Sequence, residues 1–141
     1  MRRALSWRDG LALQAMIDTG LRVSDCLALR IAALHNHTIR VTERKTGHTR
    51  TVRLRPSTRA EILRHVGDRP LASRIWPIDR STYYRAIKAA ALALGMERVS
   101  AHSARKTYAR AYARKHGALA TQRELGHKYI STTLLYLHDV D

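Results

Sequence analysis

Between Thr38 and Leu54 the apolar residues fall two apart, Ile39 with Val41 and then Val52 with Leu54, and the run Lys45-Thr46-Gly47-His48 separates the two pairs. Alternation over such short stretches, broken by a glycine-containing turn, predicts a β-hairpin with a strongly basic outward face. The rest of the chain is helical in its periodicity, so the hairpin is an insertion. Ser6 and Asp9 make a capping-box-like start for a first helix that buries Leu11, Ala12, Ala15 and Met16 and ends at Gly20. A second, short helix is expected to start on Ser24 and to carry Leu27 and Leu29.

Beyond the hairpin, Ser57 is the expected cap of a helix through Ile62 and Leu63 that stops near Gly67. Positions 68–80 carry Pro70 and Pro77, which predicts an irregular loop around Trp76. Ser81 is the expected cap of the next helix, with Tyr84, Ile87, Ala91 and Leu94 on its apolar face and Gly95 at its end. Helices are also expected from Ser103 to His116, from Leu119 to Leu125, and from Ser131 or Thr132 through Tyr136. The fold class is therefore mainly α with a small β-hairpin (α+β). No repeat, low-complexity tract or linker divides it, so 1–141 is expected to be a single domain.

Charge says what such a domain faces. The 141 residues hold 26 Lys and Arg against 11 Asp and Glu, a net +15 spread along the whole chain. A folded domain with that excess points to nucleic acid as partner, the plain alternative being a ribosome-associated or other generic basic protein. The longest purely apolar run, Ala89 to Leu94, is far too short to span a membrane. Met1-Arg2-Arg3-Ala4 has no apolar segment behind it, so no signal peptide is expected. Cys26 is the single cysteine, which excludes an intramolecular disulfide and a multi-cysteine zinc site and fits a cytoplasmic protein. Cys26 and Met16 are expected in the core, and His35, His37, His65, His116 and Tyr112 carry no assigned role.

Attack on a phosphodiester by a side-chain oxygen needs fixed cations on the non-bridging oxygens, an acid for the departing sugar oxygen and a base for the nucleophile. Guanidinium groups suit the first task because their paired donors are rigid. The sequence offers no carboxylate cluster for magnesium, so fixed cations are the simpler proposal. Arg22 lies in Thr19-Gly20-Leu21-Arg22-Val23-Ser24-Asp25, at the corner between two expected helices. Lys45 lies at the hairpin tip. His102 and Arg105 stand three apart at a helix start, on one face and beside backbone N–H groups that favour an anion. His127 follows Leu125-Gly126, and Tyr136 comes nine residues later. Taken singly, each is an ordinary surface or capping residue in so basic a chain.

In that order the motifs resemble the tyrosine recombinases, the phage-integrase class, over essentially the whole chain from Thr19 to His138. Thr19-Gly20-Leu21-Arg22-Val23-Ser24 is similar to the family's first arginine box, with Asp25 where Glu is more usual. Lys45-Thr46-Gly47 is similar to its hairpin lysine, and His102-Ser103-Ala104-Arg105 to its second box. Leu125-Gly126-His127, Ser131-Thr132-Thr133 and Tyr136-Leu137-His138 resemble the ending that carries the nucleophile.

The resemblance implies a tyrosine recombinase catalytic-domain fold and a site-specific DNA recombinase in which Tyr136 forms a 3′-phosphotyrosyl link. It implies that Arg22 and Arg105 hold the phosphate, that Lys45 protonates the leaving 5′-oxygen, that His102 handles the tyrosine proton and that His127 donates to the phosphate. No cofactor, metal or ATP is implied. The partner would be double-stranded DNA, with no membrane; the full-length protein would act as a tetramer on DNA, while the isolated domain would be a monomer. Arg80, Arg85 and Lys88, placed opposite the apolar face of their helix, are the expected DNA-facing group, against the plain reading of a solvated face. Tyr129 is the rival nucleophile but does not fit the family spacing. The family's N-terminal DNA-clamping domain is expected to be absent, only about eighteen residues preceding Thr19, and with five residues after Tyr136 the family's C-terminal docking on a neighbouring subunit is not expected of this chain. Two rival readings stand beside this one: a type IB topoisomerase, and a DNA-binding module that does not cut.

Overall fold

A computed structural model describes residues 5–100 and 102–138. The chain runs α1 (Trp7–Thr19), α2 (Val23–Leu27), a 3₁₀ turn (Ile31–His35), β1 (Ile39–Thr42), β2 (Thr49–Val52), α3 (Pro56–Val66), α4 (Arg80–Ala93), α5 (Ser103–His116), α6 (Ala118–Leu125) and α7 (Ile130–His138). The expected class, mainly helical with one small hairpin, is the observed one. Met1 to Ala4, on which the signal-peptide expectation rests, lie outside the described residues. Among the described residues, no helix is long and apolar enough to cross a membrane.

α1 forms as its sequence predicts. Ser6 accepts a hydrogen bond from the Asp9 backbone N–H at 3.2 Å, and Gly20 closes the helix in the left-handed region at φ 71°. Leu11, Ala12, Ala15 and Met16 are buried, and Cys26 beside them is fully buried. Burial drives the Cys26 thiol far above its ordinary range, so it is an inert core residue.

β1 and β2 pair antiparallel in the register Ile39↔Val52, Arg40↔Thr51, Val41↔Arg50 and Thr42↔Thr49. Ile39, Val41, Val52 and Leu54 face the core, as the alternation requires. Positions 68–79 form the expected irregular loop, clipped by a bridge between Arg30 and Arg74 and holding a fully buried Trp76. Truncating such a side chain costs about 3–5 kcal/mol.

Three caps differ from expectation. α2 begins two residues earlier than a Ser24 cap allows: Arg22 is its N-cap and makes no capping bond, because a guanidinium offers no acceptor to a helix N–H. α3 begins with Pro56 in its first turn behind Arg55, so Ser57 lies inside the helix. α4 is capped by Asp79, whose carboxylate accepts from the Thr82 N–H at 2.7 Å, and not by Ser81. In α4, Tyr83, Ile87, Ala90 and Ala91 are buried, whereas Leu94 is 48% exposed because the helix has already ended at Ala93. α5 then packs across α1, α6 and α7, and this carries the C-terminal helices onto the α1–α2 corner.

Candidate active site

Alternation carries past the end of β1, so Glu43 points inward after Ile39 and Val41 and is fully buried. On β2, Arg50 pairs with Val41 and alternates with Val52, so it points inward as well and is 7% exposed. The hairpin's basic outward face thus lacks Arg50, and a buried acid and a buried base replace it underneath. Oε2 of Glu43 accepts from Nη1 of Arg22. Its Oε1 accepts from Nη1 of Arg105 at 3.3 Å and lies 3.6 Å from Nε of Arg50.

Arg105 enters this cluster from the first turn of α5, with its guanidinium held by backbone. Nη1 donates to the Gly20 carbonyl at 2.7 Å and Nη2 to the Leu125 carbonyl at 3.1 Å. Both acceptors end helices, where carbonyls lack helical partners. Burial lowers the Arg105 pKa, the neighbouring Arg22 lowers it further, and Glu43 opposes both. Its Nε is buried without a hydrogen-bond partner among the described residues.

Arg50 donates from Nη2 to the Thr19 carbonyl at 2.7 Å and from Nη1 to Oε1 of Glu124 at 2.6 Å. Tyr108 donates its hydroxyl to the same oxygen at 2.9 Å, and its ring lies under the Arg50 guanidinium at 5.5 Å. Desolvation first, then the Glu124 charge, push the Tyr108 phenol up to about 12, so it remains a donor. Two glycines allow these close approaches: a Cβ on Gly20 would lie 2.2 Å from Cδ1 of Tyr108, and one on Gly126 2.5 Å from Cγ of His48.

The other expected residues gather around this cluster. His127, 9% exposed, follows the left-handed Gly126, and its Nδ1 lies 2.8 Å from Oγ1 of Thr133 in α7. Burial first, then the charges of Arg105 and Arg22, push its pKa down to about 4, so the ring is neutral near pH 7. Its Nε2 is buried without a hydrogen-bond partner among the described residues. Tyr136 meets the His127 ring edge-on at 4.8 Å, with the Lys106 ammonium 5.9 Å from its ring centroid. His102 is held below the ordinary histidine range by desolvation and then by Lys106, Arg105, Lys45 and Arg80, so Lys45 and Arg80 act on this site too. Lys45 itself stays exposed at the hairpin tip, its preceding residue tied down where the Arg44 N–H donates to Asp25 at 3.2 Å.

Arg22, Lys45, His102, Arg105, His127 and Tyr136 therefore lie in one region. Tyr129, 60% exposed with Lys128 over its ring, is outside this arrangement. The α4 trio separates. Arg80 stands over Tyr84 at 5.3 Å, and both line a groove with Lys88 that reaches His102. Arg80 and Lys88 are thus neighbours of Tyr84 on its own stripe and not opposite it, and Arg85 alone faces away. Sequence reasoning missed Glu43, Arg50, Glu124 and Tyr108. The signal for the first two was present, since period-two alternation assigns both to the inward face.

A helical domain that inserts a hairpin, and sets arginines, histidines and a tyrosine around one buried carboxylate, has the fold of a tyrosine recombinase catalytic domain. The chain belongs to the phage integrase family, whose model matches residues 1–141. It is 28% identical over 134 residues to the tyrosine recombinase XerA of Saccharolobus solfataricus, covering 93% of this chain and 46% of that protein. The chain thus spans about half the length of that relative. It is 31% identical over 130 residues to the probable integrase/recombinase YoeC of Bacillus subtilis, covering 86% of this chain and 72% of that protein. Among solved structures, a lambda integrase dimer bound to a COC′ core site superposes with a TM-score of 0.77 at 21% identity, over 98% of this chain and 45% of that one.

Proposed function

We propose that this chain is the catalytic domain of a site-specific recombinase that cuts and rejoins double-stranded DNA through Tyr136. Its hydroxyl oxygen bonds to the scissile phosphorus while the bond from phosphorus to the 5′-oxygen breaks. The tyrosine proton passes to neutral His102, and Lys45 gives a proton to the departing 5′-oxygen. Arg22 and Arg105 hold the non-bridging oxygens as charge grows on them, and His127 donates one further hydrogen bond. The 5′-hydroxyl of another strand then attacks the phosphotyrosine and restores the tyrosine. One phosphoester replaces another at each step, so the bond energy is kept.

The observation that carries this reading is the convergence of Arg22 and Arg105 on one buried carboxylate, with His127 and Tyr136 in ring contact beside them. Two arginines held on separate helices present donors in a fixed array, which an anion with paired oxygens fits. Neutral His127 supports it: if Nδ1 accepts from the Thr133 hydroxyl, the ring proton sits on Nε2, ready to donate. The same reading takes residues 1–141 as one catalytic domain of a protein that works as a tetramer on DNA.

The test uses a pool of nicked duplexes with randomised sequence around the nick, so that cleavage releases a short fragment and traps the adduct. SDS-resistant adducts with the wild type, absent for Tyr136→Phe, are expected. Adducts that persist in Tyr136→Phe would move the nucleophile elsewhere. Binding without adducts would favour a non-cutting module, and relaxation of any supercoiled plasmid a topoisomerase.

A further inference from the structure

We infer that Glu43 is the positioning residue of the phosphate clamp, its two carboxylate oxygens aligning Arg22 and Arg105 separately before substrate arrives. The inference rests on the reading of Arg22 and Arg105 as that clamp. Glu43 is fully buried and ends the paired part of the hairpin, its N–H donating to the His48 carbonyl at 2.8 Å and its carbonyl accepting from the Gly47 N–H at 2.8 Å. The carboxylate is therefore as fixed as the strand that carries it.

The two oxygens divide their work. Oε2 takes Arg22, whose side chain is hydrogen-bonded, among the described residues, to Glu43 alone. Oε1 takes Arg105, whose remaining bonds go to helix-end carbonyls. Without Glu43, Arg105 would keep its backbone anchors, whereas Arg22 would lose its hold. Arg50 shares Oε1 and passes the link to Glu124 and Tyr108, so hairpin, α5 and α6 meet at one carboxylate. Three buried or half-buried arginines face two carboxylates in this network, which leaves positive charge in excess for an incoming anion.

A purely structural role, neutralising buried arginines so that the domain folds, predicts a different outcome from positioning. Arg50→Met and the double variant Glu43→Met/Arg50→Met separate the two. The double variant removes one positive and one negative charge together, so the buried balance is that of the wild type. Positioning predicts that the double variant folds, binds duplex within about two-fold of Arg50→Met, and forms adducts about 100-fold more slowly than it, the loss that a misplaced reacting group brings. Glu43→Gln/Arg50→Met, which retains one acceptor oxygen, should recover part of that loss.

The guanidinium NMR signals give a second readout that needs no catalysis. Separate Nη signals of Arg22 and Arg105 are expected in Arg50→Met, shifting on addition of inorganic phosphate. Those of Arg22 should collapse in the double variant. Equal adduct rates in Arg50→Met and the folded double variant, or unchanged Arg22 signals, would overturn the inference. A wild type that forms no adduct while its Arg22 and Arg105 signals answer to phosphate and depend on Glu43 would overturn the recombinase reading and leave the positioning role standing.

Discussion

The His127 ring meets the Tyr136 ring edge-on, their centroids 4.8 Å apart and their planes at 73°. Gly126 turns the chain out of α6 so that His127 faces α7, and Thr133 of the same helix fixes the imidazole through Nδ1 at 2.8 Å. One turn of α7 thus orients both the histidine and the tyrosine.

Thr133→Val should therefore slow adduct formation while leaving the duplex bound. Valine keeps the shape of a fully buried side chain but removes the hydroxyl that selects the ring tautomer. A loss of roughly 10–100-fold is expected, the range that orienting hydrogen bonds command at functional histidines. Single-turnover rates at saturating duplex measure it, and an unchanged rate would remove Thr133 from the mechanism.

Acid should weaken both fold and chemistry. His127 has its folded pKa near 4, below the ordinary 6.5 of an unfolded histidine. Between these values the unfolded chain binds the proton that the folded chain refuses, so stability falls as pH drops from 6.5 toward 4 and gains nothing from this group above 6.5. Urea midpoints at pH 7 and pH 5 check this, and His127→Gln should flatten the difference. His102 is also held below the ordinary range, desolvation leading and Arg80 among the charges that follow. Arg80→Ala should move the acid limb of adduct formation upward in pH.

Gly126→Ala should cost more stability than Gly47→Ala. Both glycines sit in the left-handed region, at φ 69° and 71°, so each alanine bears a backbone penalty of about 1 kcal/mol. A Cβ at position 47 meets open space, whereas one at 126 would be 2.5 Å from the His48 ring. Thermal midpoints should fall further for Gly126→Ala, and adduct formation should fall with them because His127 follows directly.

Duplex binding should depend steeply on salt. If around six phosphates are neutralised, affinity should fall by about three orders of magnitude between 50 and 200 mM salt. Arg85→Ala/Lys88→Ala should flatten that slope. Lys88 lines the groove that reaches His102, so restoring Lys88 should recover more of the slope than restoring Arg85. A double variant whose salt response matches the wild type would free Arg85 and Lys88 of any contact.

How much was legible in the sequence follows from the range of each interaction. Helices α1, α5 and α6 and their stops lie where periodicity and glycines put them, because those signals act within a turn or two. The caps were less legible. Ser24, Ser57 and Ser81 are all capable N-caps, but Arg22 is drawn to Glu43, Pro56 fits a first turn, and Asp79 offers a carboxylate one turn before Tyr83. Local preference was sound, and a neighbour in the chain or in space outweighed it.

The sequence by itself determined the helical class, the alternation of the hairpin and the set of groups available to the site, since each depends on residues close along the chain. Only the tertiary structure decided how those groups are held. Glu43 and Arg105 are 62 residues apart, and Arg50 and Glu124 are 74 apart. No local pattern specifies a bond of that span. Packing α5 across α1 buries the arginines, and a buried guanidinium must find a carboxylate or a helix-end carbonyl, because water can no longer solvate it.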